Sequence, residues 1–342
     1  MNSLGVAVVG CGNMGKDLAK AAATVKTIRV AAVCDVDEGK RTALSEEIGC
    51  DAEGDLASVL SRDDIEAVIV ATPPHFHEAA TVAAAEAGLH VFCEKPLAPT
   101  LSGCDRILQA VDKAGVVLAV GLVCRYLPVH KKVKELVVAG TVGAPVSMSV
   151  HRLSGAARGR WHAPWREKRA QSGGMLMETN AHEIDFIRNV MDDEVVEVSA
   201  AGGTYVHTAF DYPDETFVTL RFKNGGVGHL HSSYISAIGA YGGRVHGDNG
   251  TVAFPAIWGS IDEPIRYQSG DEEEVKLTSA DLELSEGGVA AELRVFAEVV
   301  WGGASVGASG IDGRAATEIA LAAYRSIETG RSVALPIRDE EE

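Results

Sequence analysis

Glu94, Lys95 and Pro96 close the short apolar run Val91-Phe92-Cys93 with a charged pair and a proline. The run has β-propensity and no charge, which suits a strand covered on both faces. Proline cannot donate to a sheet ladder and biases the residue before it away from helix. Glu94 and Lys95 are therefore expected at a strand's carboxyl end, the edge where open parallel sheets bind ligands. A second group, Glu178, His182 and Asp185, is spaced i, i+4, i+7, which puts all three on one side of a helix. A histidine titrates near neutrality and a nearby carboxylate raises its basicity, the requirements of a general acid/base; a solvated acidic face carrying one histidine has the same spacing. A third group, Gly10-Cys11-Gly12-Asn13-Met14-Gly15, has the G-x-G-x-x-G form that lets backbone N–H groups face a pyrophosphate.

The elements around the glycine loop decide its reading. Leu4 to Val9 is an apolar strand running into the loop, and helical periodicity follows through Leu18, Ala19 and Ala22. The next strand, Ile28 to Cys34, ends at Asp35, 20 residues beyond Gly15, where a carboxylate accepts the adenosine ribose hydroxyls. Strand, glycine loop, helix, strand and acid together predict a bound dinucleotide. Asp35 would repel a 2′-phosphate and no arginine follows it directly, which favours NAD over NADP, although Lys40 and Arg41 are close. The alternation continues with helices at Gly39 to Ile48 and Leu56 to Leu60. The strand Ala67 to Ala71 is stopped by Thr72-Pro73-Pro74-His75, and a helix with Glu78 in its first turn follows. A helix from Thr100 or Ser102 to Val111 and a strand at Val116 to Val120 complete a doubly wound parallel sheet.

The βα alternation stops near residues 121 to 126, which divides the chain into a dinucleotide-binding domain, 1–123, and a substrate-binding and oligomerisation domain, 124–342, whose C-terminal helix is expected to pack back near the first. Leu153 to Ser172 lacks periodicity but holds Arg158, Arg160, Trp161, His162, Trp165 and Arg166, the composition of a substrate lid or of a disordered excursion. Gly173 to Met191 reads as one helix. From Val195 the pattern is of strands, including Tyr205 to Phe210 and Thr216 to Phe222, with turns such as Asn224-Gly225-Gly226 between them. Amphipathic helices follow at Glu292 to Val300 and Ile311 to Ile327. His229 and His231 share a strand face, but spacing implies no third ligand, so no metal is expected.

Composition narrows the function classes. With 31 basic and 48 acidic residues among 342, the net charge of −17 repels phosphate backbones and argues against a nucleic-acid partner. The near-continuous apolar run Ala114 to Cys124 is too short to span a bilayer, and a strand beginning within a few residues of Met1 leaves no room for a signal peptide. Six cysteines, none in a C-x-x-C pair, suit buried reduced thiols of a cytoplasmic protein.

The sequence resembles the glucose-fructose oxidoreductase / inositol dehydrogenase / MocA family through Gly10 to Gly15, Asp35, Ala71-Thr72-Pro73-Pro74 with His75 and His77, Glu94-Lys95-Pro96, Arg125-Tyr126 and Gly173-Gly174…His182…Asp185. The resemblance implies an N-terminal Rossmann domain and a C-terminal α+β domain on an open, mostly antiparallel sheet that often mediates dimers or tetramers. It implies that Lys95 bonds the reacting hydroxyl beside the nicotinamide, that Glu94 contacts the nicotinamide-side ribose and that the Lys95–Pro96 bond is cis. Gly10, Gly12, Asn13, Met14, Gly15, Asp35, Thr72, Pro73, His75 and Glu94 would hold the cofactor. His182 would be the acid/base, oriented by Glu178 where the family usually has aspartate. Arg125, Trp165, Arg166 and Asn180 are the expected substrate contacts. The implied activity is NAD-dependent hydride transfer at a secondary alcohol of a sugar, inositol or related polyol. Two alternatives stand beside it: NAD-recycling glycoside cleavage or dihydrodiol/biliverdin-type reduction, and a non-catalytic dinucleotide sensor.

Overall fold

The six residues of β1 (Leu4–Val9) are all buried, as a strand at the centre of a two-sided sheet must be. The computed structural model describes residues 3–155, 163–256, 258, 261–282, 287–303 and 305–337. Arg158, Arg160, Trp161 and His162 of the expected lid lie outside the described residues. The chain divides into two compact units: Met1–Val123 with Ala170–Gly173 and Glu286–Thr317, and Cys124–Arg169 with Gly174–Ser285 and Glu318–Glu342.

In the first unit, β1, β2 (Ile28–Cys34), β3 (Asp51–Glu53), β4 (Ala67–Val70), β5 (His90–Cys93) and β6 (Leu118–Val120) form a sheet ordered β3-β2-β1-β4-β5-β6. Every neighbouring pair is parallel. The strand order reverses between β1 and β4, so the ligand crevice lies beyond the carboxyl ends of these strands. The helix Asn13–Thr24 turns Gly15, Leu18, Ala19 and Ala22 onto the sheet at three- and four-residue spacing. The helix Leu101–Ala114 starts where the Thr100 side chain accepts the Gly103 N–H, and stops at Gly115 in the left-handed region.

The core of this unit is completed from far along the chain. The helix Gly288–Val300 buries Leu293, Phe296 and Ala297 in one cluster with Leu18, Ile69 and Phe92. The Phe296 and Phe92 rings meet edge to face with centroids 6.0 Å apart. Sequence reading assigns residues 124–342 to the second domain, with the C-terminal helix packing back near the first; the structure places residues 170–173 and 286–317 in the first unit. The physical reason is that an apolar helix stripe specifies burial but not which core it joins. The helix Gly310–Thr329 contributes to the first unit up to Thr317, where Arg314 pairs with Asp105 at 2.5 Å and Thr317 donates to the Ala98 carbonyl at 3.2 Å.

The second unit is built on β7 (Pro145–Gly155), β8 (Val195–Gly203), β9 (Glu215–Phe222), β10 (Val227–Ser233), β11 (Ile235–Gly247), β12 (Gly250–Phe254), β13 (Ile265–Ser269), β14 (Val275–Leu277) and β15 (Val333–Ala334). Their order is β14-β13-β12-β11-β7-β10-β9-β8-β15, antiparallel at every pairing except β10 with β7. Period-2 burial of Thr216, Val218, Leu220 and Phe222 gives β9 one core face, onto which this sheet packs the helix Ala181–Met191 at β7 and β10. The expected strand at Tyr205 to Phe210 is instead a loop. The N–H groups of Tyr205, Val206 and His207 converge on the fully buried Asp214 carboxylate at 2.7–2.8 Å, so they are unavailable to a ladder. Burial alone would raise the Asp214 carboxyl; the three amide donors hold it below its usual range.

Candidate active site

Two glycines of the first loop are explained by the protein itself. Gly10 leaves β1 at φ 100°, and a Cβ there would lie 2.7 Å from the Ala71 carbonyl. A Cβ at Gly15 would lie 1.7 Å from the Gly10 oxygen. Gly12 differs: it precedes the helix Asn13–Thr24 at φ −71°, and a Cβ there would meet no protein atom within 4 Å. Internal packing gives no reason for glycine at 12. Close approach of a phosphate to the N–H groups of the helix start, through exposed Asn13 and half-buried Met14, does. Asp35 accepts the Cys11 N–H at 2.7 Å and the Asp37 N–H at 2.9 Å, which fixes the glycine loop to β2 and leaves lone pairs for ribose hydroxyls. Lys40 pairs with Asp37 at 3.1 Å, and Arg41 donates to the Asp35 and Val36 carbonyls at 3.3 Å, so neither cation is set aside for a 2′-phosphate. Beyond β4 the Thr72 hydroxyl is buried with no hydrogen-bond partner among the described residues. An orphaned donor and an open glycine at one sheet edge fit a dinucleotide.

The turn after β5 is held from several sides. Glu94 is 7% exposed and its Oε2 accepts the Lys95 N–H at 3.0 Å. Gly121 makes this possible, because a Cβ there would lie 3.0 Å from the Glu94 carboxyl carbon. The Lys95–Pro96 bond is cis. His77 is buried, with Nδ1 2.8 Å from the Pro96 oxygen and Nε2 2.8 Å from the Thr72 oxygen. Burial pushes His77 down to about 4, so at neutral pH its ring is uncharged and donates one N–H. The ring lies between the turn carrying Thr72 and Pro73 and the turn carrying Lys95; when neutral it donates to one of the two carbonyls, and only the protonated ring bonds both. His75 has its Nδ1 3.2 Å from the Gln171 carbonyl.

In the second unit the expected single helix is broken. Gly174–Glu178 and Ala181–Met191 are separate, because the Thr179 and Asn180 N–H groups both donate to the Met175 carbonyl at 3.0 Å. Asn180 is fully buried; its amide donates to Glu183 Oε2 at 2.9 Å and its oxygen accepts from Ser232 at 2.7 Å. In this structure both polar atoms of the Asn180 amide are bonded within the second unit's core, beside the break. Glu183, also fully buried, further accepts from Arg152 at 3.0 Å and Tyr241 at 2.5 Å. Three donors compensate this buried carboxylate and pin the first turn of the helix that carries His182. His182 is 6% exposed, and Trp258 meets its ring edge-on at 5.1 Å.

Glu178 sits before the break rather than on the His182 helix. Its Oε1 pairs with Arg166 at 2.5 Å and its Oε2 accepts the Thr179 hydroxyl at 3.0 Å. The Arg166 guanidinium lies 4.6 Å from the Trp165 ring centroid. Glu178, Arg166 and Trp165 thus form one assembly, although nothing in their spacing joins them. Arg125, expected at the substrate, is held in a two-pronged pair by Asp185 at 2.8 and 2.6 Å, and Asp185 is 1% exposed. That pair anchors the outer turn of the His182 helix and accounts for Asp185 without catalysis.

Sequence reasoning missed Trp258, Arg152, Glu183, Tyr241 and Gly121. Trp258 stands in a stretch without periodicity, and Glu183 looks like any helix-surface acid until its three donors are seen. Burial pushes the Cys11, Cys93 and Cys104 thiols up to about 12, which makes them poor nucleophiles at neutral pH. Among the described residues no group of three His, Cys, Asp or Glu side chains can hold a metal ion, and no helix is long and apolar enough to cross a membrane.

Comparison with known proteins agrees with this geometry. An oxidoreductase family with an NAD-binding Rossmann fold matches residues 4–122, and the GFO/IDH/MocA C-terminal domain matches residues 130–253. The myo-inositol 2-dehydrogenase of Thermotoga maritima is 31% identical over 345 residues, 96% of this chain and 98% of that protein. The 2,7-anhydro-N-acetylneuraminate hydratase of Mediterraneibacter gnavus is 33% identical over 232 residues, 66% of this chain but 60% of that protein. The structure of aldose-aldose oxidoreductase from Caulobacter crescentus, complexed with glycerol, superimposes with a TM-score of 0.87 at 26% identity, covering 98% of this chain and 100% of that one. With the glycine loop, Asp35 and the Glu94-Lys95-Pro96 turn in place, identity along nearly the whole length makes this chain a member of the GFO/IDH/MocA family of NAD-binding oxidoreductases.

Proposed function

We propose that the protein is an NAD-dependent dehydrogenase or reductase acting on a secondary alcohol of a sugar, inositol or related polyol. The observation that carries this reading is Lys95, a half-buried ammonium on a turn locked by Glu94 and His77 at the cofactor edge. The full-length similarity to an inositol 2-dehydrogenase supports the substrate class. Bound NAD would supply the hydride acceptor. Lys95 holds the reacting oxygen and stabilises the charge that develops on it as the carbon–hydrogen bond is lost. His182 takes the hydroxyl proton. Glu178, four residues earlier, is the carboxylate we assign to support the imidazole; in this structure its oxygens meet Arg166 and Thr179. Trp165 and Arg166 offer an aromatic face and a guanidinium to the substrate's hydroxyls, and Trp258 adds a second indole beside His182. Purified protein with NAD, screened over inositols, aldoses and uronates for NADH formation, tests this. No turnover on any polyol, or undiminished turnover in Lys95→Ala, would sink it.

The hydratase relative supports a second reading, in which the cofactor is reduced and reoxidised within one turnover. NAD that stays with the protein through purification, and product formed without net NADH release, would favour it. We further propose a homodimer or homotetramer that associates through the outward face of the second unit's sheet, a reading supported by Phe217 and Val227 at 45% and 37% exposed. Light scattering of a Phe217→Glu variant tests that placement. None of the six cysteines forms a disulfide, which suits a reducing compartment.

A further inference from the structure

One buried ionisable side chain of the first unit has no part in the mechanism above. Glu292, in the helix Gly288–Val300, is 2% exposed, and neither carboxyl oxygen has a hydrogen-bond partner among the described residues. An ionised carboxylate left this way costs several kcal/mol, so the group is a neutral acid with one unspent O–H donor.

Its surroundings say where that donor belongs. Phe296 rests edge-on against Phe92. Glu292 lies four residues before Phe296 on the same helix face, about 6 Å along the axis. Glu94 follows β5, two residues beyond Phe92. Its charge acts on Glu292, so the two carboxyls are near neighbours in this unit. The other charged groups on the packed elements are occupied: Lys16 and Lys20 on the helix Asn13–Thr24 pair with Glu47, Arg294 pairs with Glu298, and His90 at the far end of β5 accepts the Val117 N–H. Burial first, and the Glu94 charge second, push the Glu292 carboxyl well above its usual range, and no cation offsets them. Glu94 itself lies against Gly121 and accepts the Lys95 N–H.

We propose that Glu292 is a positioning residue of the nicotinamide-ribose site: a neutral carboxylic acid whose O–H closes onto the Glu94 carboxylate and fixes it for the ribose hydroxyls of bound NAD. The proposal rests on the NAD-dependent reading and on Glu94 meeting that ribose. An O–H bonded to a carboxylate is among the stronger neutral-to-charged hydrogen bonds, and here it would form out of water.

The test compares wild type, Glu292→Gln and Glu292→Leu by calorimetric binding of NAD, ADP-ribose and ADP, alongside thermal melts. Leucine removes a buried polar group without leaving another unpaired, so Glu292→Leu should melt at or above the wild-type temperature. Its affinity for NAD and ADP-ribose should fall roughly 10-fold or more with the lost donor, while ADP, which lacks the second ribose, binds unchanged. Glu292→Gln keeps a donor and should restore the affinity for NAD. Equal NAD affinity in the leucine variant and wild type, or an equal loss for ADP, overturns the proposal. A glutamine variant as weak as leucine overturns it as well. If wild type binds neither ADP nor NAD, it is the cofactor reading that fails.

Discussion

Gly12 allows a prediction that separates cofactor binding from folding. A Cβ at this position meets no protein atom within 4 Å, and the backbone at φ −71° suits alanine. Gly12→Ala should therefore fold normally, losing about 0.5–1 kcal/mol for alanine at a helix N-cap. The methyl group would instead occupy the approach of the pyrophosphate to the helix N–H groups. Loss of two charge-assisted hydrogen bonds at about 1.5 kcal/mol each amounts to ~3 kcal/mol, or about 100-fold in NAD affinity. Gly15→Ala is the opposite case, because its Cβ would lie 1.7 Å from a backbone oxygen, so strand or helix must move. Overpacking of that kind costs about 1–3 kcal/mol or more and should lower the melting temperature whether or not NAD is present. Calorimetry with NAD and melts in its absence read the two effects separately. Gly12→Ala binding NAD within about threefold of wild type would refute the reasoning, since the glycine would then have no explanation in ligand or in fold.

Lys95→Ala should reduce turnover by roughly 10²–10³, the scale of losing one donor to a developing oxyanion, while binding NAD almost unchanged; steady-state rates and calorimetry check this. Phe296→Ala should cost about 3–5 kcal/mol, since the ring lies against Phe92 in the first unit's core, and denaturant melts measure it. Burial pushes the His130 imidazole down to about 3. The unfolded chain then binds its proton at about 6.5 while the folded chain does not, so the stabilisation is complete above about pH 6.5 and is lost as pH falls toward the folded value, at up to about 1.4 kcal/mol per pH unit. His130→Gln should flatten that part of a plot of stability against pH, and an unchanged slope would count against the assignment.

The first unit was legible because its signals are local. Gly10, Gly15 and Asp35 act within one βαβ segment, and Pro96 stops β5 at its neighbour in sequence. The second unit's chemistry depends on partners that periodicity does not reveal. Asn180 and Glu183 look like surface polar residues of a helix, yet they are the most deeply buried members of a network that reaches to Arg152 and Tyr241. Asp185 has the spacing of a catalytic group and the environment of a structural ion pair with Arg125. The strand expected at Tyr205 to Phe210 had the right residue types; Asp214, by taking three of its N–H groups, removed the ladder. Helix Gly288–Val300 was found as an element but given to the wrong core, since amphipathicity has no address.

That last helix bears on how the protein is made. Domains usually fold as they leave the ribosome, amino-terminal unit first. Here Phe92 and Leu18 wait for Leu293 and Phe296, which are translated 201 to 278 residues later, after much of the second unit. A nascent chain of the first 123 residues has its glycine loop, Asp35 and Lys95 but lacks the helix that covers Leu18, Ile69 and Phe92. Expression of that fragment alone should yield aggregate, and a circular permutant that starts near residue 287 and joins the old termini should let the first unit close early.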